Sequence, residues 1–130
     1  MRICHISWEY PPVVYGGLGR HVHAVAREQA AAGHDVVVIS HVGIGADQEP
    51  ARDEHREGVR VLRVVRDAPH VPFSVDTLMG WVAGLTSAMT STTLNLVKTW
   101  QPDVVHAHDW LTAHAASVIS RALTKIGRAV

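Results

Sequence analysis

The sequence predicts an α/β domain built on a doubly wound parallel sheet. Three observations carry this. Val36 to Ile39 form an unbroken β-branched run, the pattern of a strand covered on both faces. Helical and strand periods alternate along most of the chain. A glycine turn, Gly16-Gly17-Leu18-Gly19, joins the first strand pattern to the first helical pattern. In open sheets of this kind the ligand crevice lies at that edge, outside the carboxyl ends of the strands.

Residues 2–8 read as the first buried strand. Pro11 and Pro12 stiffen the loop that follows. Residues 17–32 read as a helix whose apolar stripe is Leu18, Val22, Val25 and Gln29, with Ala26 and Ala32 beside it. Gly33 suits the position just past a helix end. Val36 to Ser40 give the second strand. Residues 41–57 are polar, charged and without period, and read as a surface loop. Gly58 opens a strand over Val59 to Val65, with Val59, Val61 and Arg63 on one side. Its imperfect alternation predicts an edge or near-edge place.

Residues 75–100 repeat Leu78, Val82, Leu85, Met89, Leu96 and Trp100 at three- or four-residue steps. The Ser/Thr content of the middle predicts a kink or break there. Pro102 ends this helix, and residues 103–108 read as a short buried strand. Asp109 is placed to N-cap a helix from Trp110 to about Lys125, closed by Gly127. Arg128 to Val130 look like the opening of a further strand. The expectation is therefore one Rossmann-like domain over residues 1–130, incomplete at its carboxyl end.

Composition narrows the function. The 130 residues are 47% hydrophobic and 18% charged, with formal net charge +0. That balance suits one soluble globular domain and disfavours binding to nucleic acid by phosphate neutralisation. The single Cys4 cannot make an internal disulfide, which fits a reducing, cytoplasmic setting. No signal-peptide pattern and no transmembrane run are present in the sequence.

Two constellations can carry chemistry. The glycine turn precedes a helix N-terminus, where unpaired backbone N–H groups and the macrodipole favour an anion. Its spacing is not the dinucleotide fingerprint, and Ser40-His41 replace the acidic residue that would grip a ribose. The plainer alternative is a tight strand-to-helix turn and nothing more. Glu9, at the mouth of this site, could bond a sugar hydroxyl. The second constellation is His106-Ala107-His108-Asp109-Trp110, on the same rim. A His-x-His pair can hold a metal, given at least one more ligand; His5, His21, His23, His41 and His114 are candidates, none tied to the pair by spacing. Alternatively His106 is a buried, hydrogen-bonded side chain and Asp109 a cap. Trp110 fits neither well, because a tryptophan at a rim can stack on a sugar or base. No Ser-His-Asp order and no P-loop lysine appear.

Taken together, Trp8-Glu9-Tyr10-Pro11-Pro12, Gly16-Gly17-Leu18-Gly19, Ala31-Ala32-Gly33-His34-Asp35-Val36 and Pro102-Asp103-Val104-Val105-His106-Ala107-His108-Asp109-Trp110 resemble the amino-terminal half of retaining glycosyltransferases of the GT-B fold. The likeness is to the glycogen- and starch-synthase-like group. The resemblance implies two Rossmann-like domains facing a cleft, the amino-terminal one taking the acceptor and the carboxyl-terminal one the nucleotide diphosphate sugar. It implies that Gly16, Gly17, Leu18 and Gly19 meet the donor diphosphate. It also implies that Asp109, with His108 and Trp110, lines the sugar and acceptor site, which Glu9 joins on its own position, with no cofactor and no metal required. Transfer of a hexose, glucose in the first instance, to a glucan-like acceptor is the implied reaction. The partner this chain would need is the missing carboxyl-terminal Rossmann-like domain, so the chain alone is expected to be inactive. Glycogen synthases proper often carry a lysine two residues before the paired glycines; Val14 stands there. Two rival readings are a non-catalytic sugar- or phosphate-binding domain and a metal-dependent hydrolase built on His106 and His108.

Overall fold

The computed structural model of the chain describes residues 1–46 and 49–125. The elements run β1 (Arg2–Ile6), α1 (Gly17–Ala31), β2 (Asp35–His41), β3 (Arg52–Arg56), β4 (Val59–Val64), α2 (Leu78–Leu96) and β5 (Val104–Ala107). A 3-10 turn (Trp110–Thr112) and α3 (Ala113–Lys125) follow. The five-stranded sheet has the order β3-β4-β2-β1-β5. β1, β2, β4 and β5 are parallel, and β3 pairs antiparallel with β4. Gly127 and the further strand expected from Arg128 lie outside the described residues.

Burial on both faces explains the β-branched run. Val36 and Val38 pack with Val22 and Ala26 of α1, together with Val59, Val61 and Tyr10. Val37 and Ile39 pack on the opposite face with Trp81, Leu85 and Met89 of α2 and Ala115, Ile119 and Leu123 of α3. Helices thus cover both sides of the sheet, the doubly wound arrangement expected from the sequence. Gly33, at φ 96°, occupies the left-handed region just past α1, as a helix-ending glycine does.

Several elements differ from the expectation. Val22 and Ala26, rather than Leu18 and Val25, centre the buried stripe of α1, and Ala32 is exposed. The polar stretch before Gly58 is not wholly loop, because Arg52–Arg56 is a strand. Glu57 (φ 51°) and Gly58 (φ 80°) make the two-residue turn of a hairpin. Both central residues have positive φ, matching the right-handed twist of the flanking strands. β3 carries no apolar residue because it is an edge strand, and its charges protect the edge from pairing with another chain. β4 consequently lies one place in from that edge.

α2 is unbroken from Leu78 to Leu96 and shorter at both ends than expected. Within it Thr93 turns its hydroxyl onto the Met89 carbonyl at 2.8 Å, and Ser87 donates to Asp67 in the turn after β4, so these polar side chains do not break the helix. Val75 is 94% exposed, and Trp100 lies past the helix, where its Nε1 donates to Asp35 Oδ2 at 2.9 Å. β5 is an edge strand rather than a buried one: no described strand pairs with its outer side, and Val104 is 38% exposed. Among the described residues no helix is long and apolar enough to cross a membrane.

Candidate functional site

The carboxyl ends of β1, β2, β4 and β5 share one rim, and both constellations sit on it. Between β1 and α1 the chain makes a loop held from below. Arg63 is fully buried; its Nη1 donates to the Tyr10 carbonyl at 2.8 Å and its Nη2 to the Pro11 carbonyl. Arg56 also donates to Pro11 O, at 3.1 Å. Burial disfavours the charge on Arg63, and Glu54, at 3.2 Å, offsets part of that. Pro11-Pro12 is a cis peptide. Higher in the loop, Trp8 stacks on Tyr15 at 4.9 Å between ring centres. The Tyr15 hydroxyl accepts the Ile44 N–H at 2.6 Å, tying the loop to the turn after β2.

The four residues of the glycine turn separate into two kinds. Gly19 is buried, and its N–H donates to Glu9 Oε1 at 2.6 Å. A Cβ built at Gly19 would lie 2.9 Å from that oxygen and 3.2 Å from Val14 Cγ2, so packing demands glycine there. Gly16 and Gly17 are exposed, and a Cβ at either meets nothing within 4 Å. Their φ values are not positive, so neither packing nor backbone conformation requires glycine. The Gly17 and Leu18 N–H groups stand at the start of α1, where a helix has no partners of its own, and no described side chain caps them.

Glu9 has a different role from the one its place in the sequence suggests. It is 2% exposed and serves as the internal cap of α1 through Gly19, instead of facing a sugar at the mouth of the site. That bond also removes the Gly19 N–H from the set open to a ligand.

On the neighbouring strands the geometry gathers four histidines. His5 and His106 are register partners on β1 and β5. His5 Nδ1 lies 2.9 Å from His108 Nε2, and His5 Nε2 lies 2.7 Å from Gln29 Oε1 on α1. His106 and His108 stack at 4.0 Å between ring centres, and His21 meets His108 edge-on at 6.1 Å. The ligand nitrogens of His5, His106 and His108 all lie within 4.8 Å of one another. Burial, then repulsion from the neighbouring histidines, lowers the His108 pKa to about 4. His5 is lowered chiefly by burial, against its hydrogen bond to Gln29.

His108 is therefore a buried residue whose Nε2 is bonded to His5. Asp109 does reach the rim. Its φ of 72° with ψ 164° is rare for a residue with a side chain, and its Oδ1 accepts the Trp110 N–H, so it caps the 3-10 turn Trp110–Thr112, whereas the helix expected to start at Trp110 begins at Ala113. Trp110 projects beside it, 55% exposed. The sequence reading missed Gln29, Arg63 and Tyr15, and it offered His5 as one of several candidate ligands with no spacing to tie it to His106 and His108. His5 lies inside the first apolar strand pattern, and the neighbouring places of β1 and β5 in the sheet bring it to His106 and His108.

Three comparisons bear on this geometry. The family model described as "Glycosyl transferase 4-like domain" matches residues 16–128. Glycogen synthase of Mycobacterium tuberculosis is 49% identical across 93% of this chain and 31% of its own length. Alpha-maltose-1-phosphate synthase of Mycolicibacterium smegmatis is 32% identical across 92% of this chain and 25% of its own length. Sucrose-phosphate synthase of Thermosynechococcus elongatus superposes with a TM-score of 0.67 at 17% identity, over 92% of this chain and 30% of that one. The chain thus spans about a third of the length of the curated relatives it matches first.

Proposed function

The chain belongs to the glycosyl transferase 4-like domain family, and on that premise we propose that it is the acceptor-side, amino-terminal half of a retaining hexosyltransferase. The donor is a nucleotide diphosphate sugar, glucose the expected hexose, and the acceptor is glucan-like. The resemblance to glycogen synthase supports the acceptor class.

One observation carries the reading. Gly16 and Gly17 leave open space at the start of α1, where no described side chain caps the Gly17 and Leu18 N–H groups, and among the described residues neither packing nor a positive φ accounts for glycine there. A diphosphate approaching across a cleft does account for it. It needs close backbone approach, and it gains from unpaired N–H groups whose partial positive charge faces the developing charge of the leaving group. The Gly16-Gly17-Leu18 segment supplies these contacts, while Gly19 maintains the turn through Glu9. Asp109 and Trp110 line the sugar and acceptor side, Trp110 offering a ring face to a pyranose. His108 acts from beneath by holding the Asp109 segment against β1.

The test is a donor panel. The full-length protein is given ADP-, UDP- and GDP-glucose with a glucan acceptor, and nucleotide release and the anomeric configuration of the product are measured. Retained configuration with one preferred donor is expected, and the 130-residue chain alone is expected to give none. Transfer by that chain alone, or inversion by the full-length protein, would overturn the reading.

A further inference from the structure

We propose that His5, His106 and His108 form a binding site for one borderline divalent transition-metal ion of the Zn2+ type. The backbone assembles the site. His5 and His106 are paired across neighbouring parallel strands and so share the face that α1 partly covers, and His108 follows two residues further along. Their ligand nitrogens span no more than 4.8 Å. Zn–N bonds of 2.0–2.1 Å in a tetrahedron set the ligand nitrogens about 3.4 Å apart. The 2.9 Å between His5 Nδ1 and His108 Nε2 is within a few tenths of an ångström of that spacing. His106 is exposed, so it has room to turn and closes the remaining distance.

A second feature points the same way. Gln29 Oε1 can only accept a hydrogen bond, so its contact at 2.7 Å puts the proton of neutral His5 on Nε2. The Nδ1 lone pair then faces His108 and His106. A ligating histidine whose other ring nitrogen is held by an oxygen acceptor is the usual outer shell of a metal site. Coordination needs the His108 proton on Nδ1 instead of Nε2, a tautomer change with no change of charge. Three imidazoles without a carboxylate among them select Zn2+, Ni2+ or Co2+ over Mg2+ or Ca2+. Water completes the tetrahedron; His21, on the first turns of α1, meets His108 edge-on at 6.1 Å between ring centres. Bound metal would join β1 to the segment that carries Asp109 and Trp110. This inference does not depend on the proposed glycosyl transfer, and its test reads no turnover.

The experiment uses untagged 130-residue chain, stripped with chelator and titrated with Zn2+ by calorimetry and with Co2+ by visible absorption. Expected are one Zn2+ per chain and the intense d–d band of four-coordinate Co2+. His106→Ala should abolish both signals, and its exposed position lets circular dichroism confirm an intact fold. Gln29→Ala should weaken Zn2+ binding roughly 10- to 100-fold, the effect of removing an outer-shell partner. No uptake, or equal uptake by His106→Ala, would overturn the proposal, the latter assigning the metal to other histidines.

Discussion

At the scale of the residue, neighbouring glycines answer to different masters. Gly19 packs against Glu9 and Val14, so Gly19→Ala should destabilise the fold by about 1–3 kcal/mol, the range for overpacking a filled site. Gly17→Ala meets open space and should change stability by less than about 1 kcal/mol. Urea melts of the two variants check this, and equal losses would contradict it. His108 supplies a second prediction. Its folded pKa, about 4, lies below the ordinary 6.5, so the unfolded chain binds the extra proton first. His108 therefore costs the fold nothing above pH 6.5 and lowers stability progressively as pH falls from 6.5 to about 4, by roughly 3 kcal/mol in all. In metal-free buffer, His108→Gln should show a shallower loss of stability across that window. An unchanged slope would assign the acid sensitivity elsewhere. The sequence announced the glycine turn as a unit, yet it could not divide it. Division depends on which N–H Glu9 reaches, and that is decided ten residues away in the chain.

Among the elements, those with a buried face were legible and those without one were not. Val36 to Ile39 declared a central strand because both faces are covered. β3, Arg-Asp-Glu-His-Arg, declared nothing, since an edge strand of charged residues has no apolar period to read. Its hairpin turn, Glu57-Gly58, lacks the usual Asn-Gly or Asp-Gly signal. β5 had an apolar pattern but lies at the edge, because burial depends on neighbours that the strand's own residues do not specify. The ends of α2 were misjudged for a similar reason: Trp100 continues the spacing while bonding to Asp35 from outside the helix. Inside α2, Gly84 faces the backbone of the turn after β4. A Cβ there would lie 2.1 Å from Asp67 O, whose own N–H donates to Gly84 O at 3.0 Å. Backbone cannot move aside as a side chain can, so Gly84→Ala should cost about 3 kcal/mol or more. A thermal melt within a few degrees of the parent protein would contradict that contact.

Taken as a whole, the described residues form a sheet with two cores and one candidate rim. α1 seals one face, α2 and α3 the other, and the loops that follow β1 and β5 bring the glycine turn, Asp109 and Trp110 to the same edge. That edge was predictable, because the position of a crevice follows from strand order alone. The histidine cluster beneath it was not, because it joins residues more than a hundred positions apart in the chain. The central claim is that the open glycines receive a donor diphosphate. The most direct measurement is the transfer rate of full-length protein carrying Gly17→Val, beside its thermal melt. The added side chain fills the space a phosphate would use, so kcat/KM for the nucleotide sugar should fall roughly 100-fold, the scale of losing a preorganised N–H contact, with the melt unchanged. A variant that folds normally and transfers at the parent rate would contradict the claim.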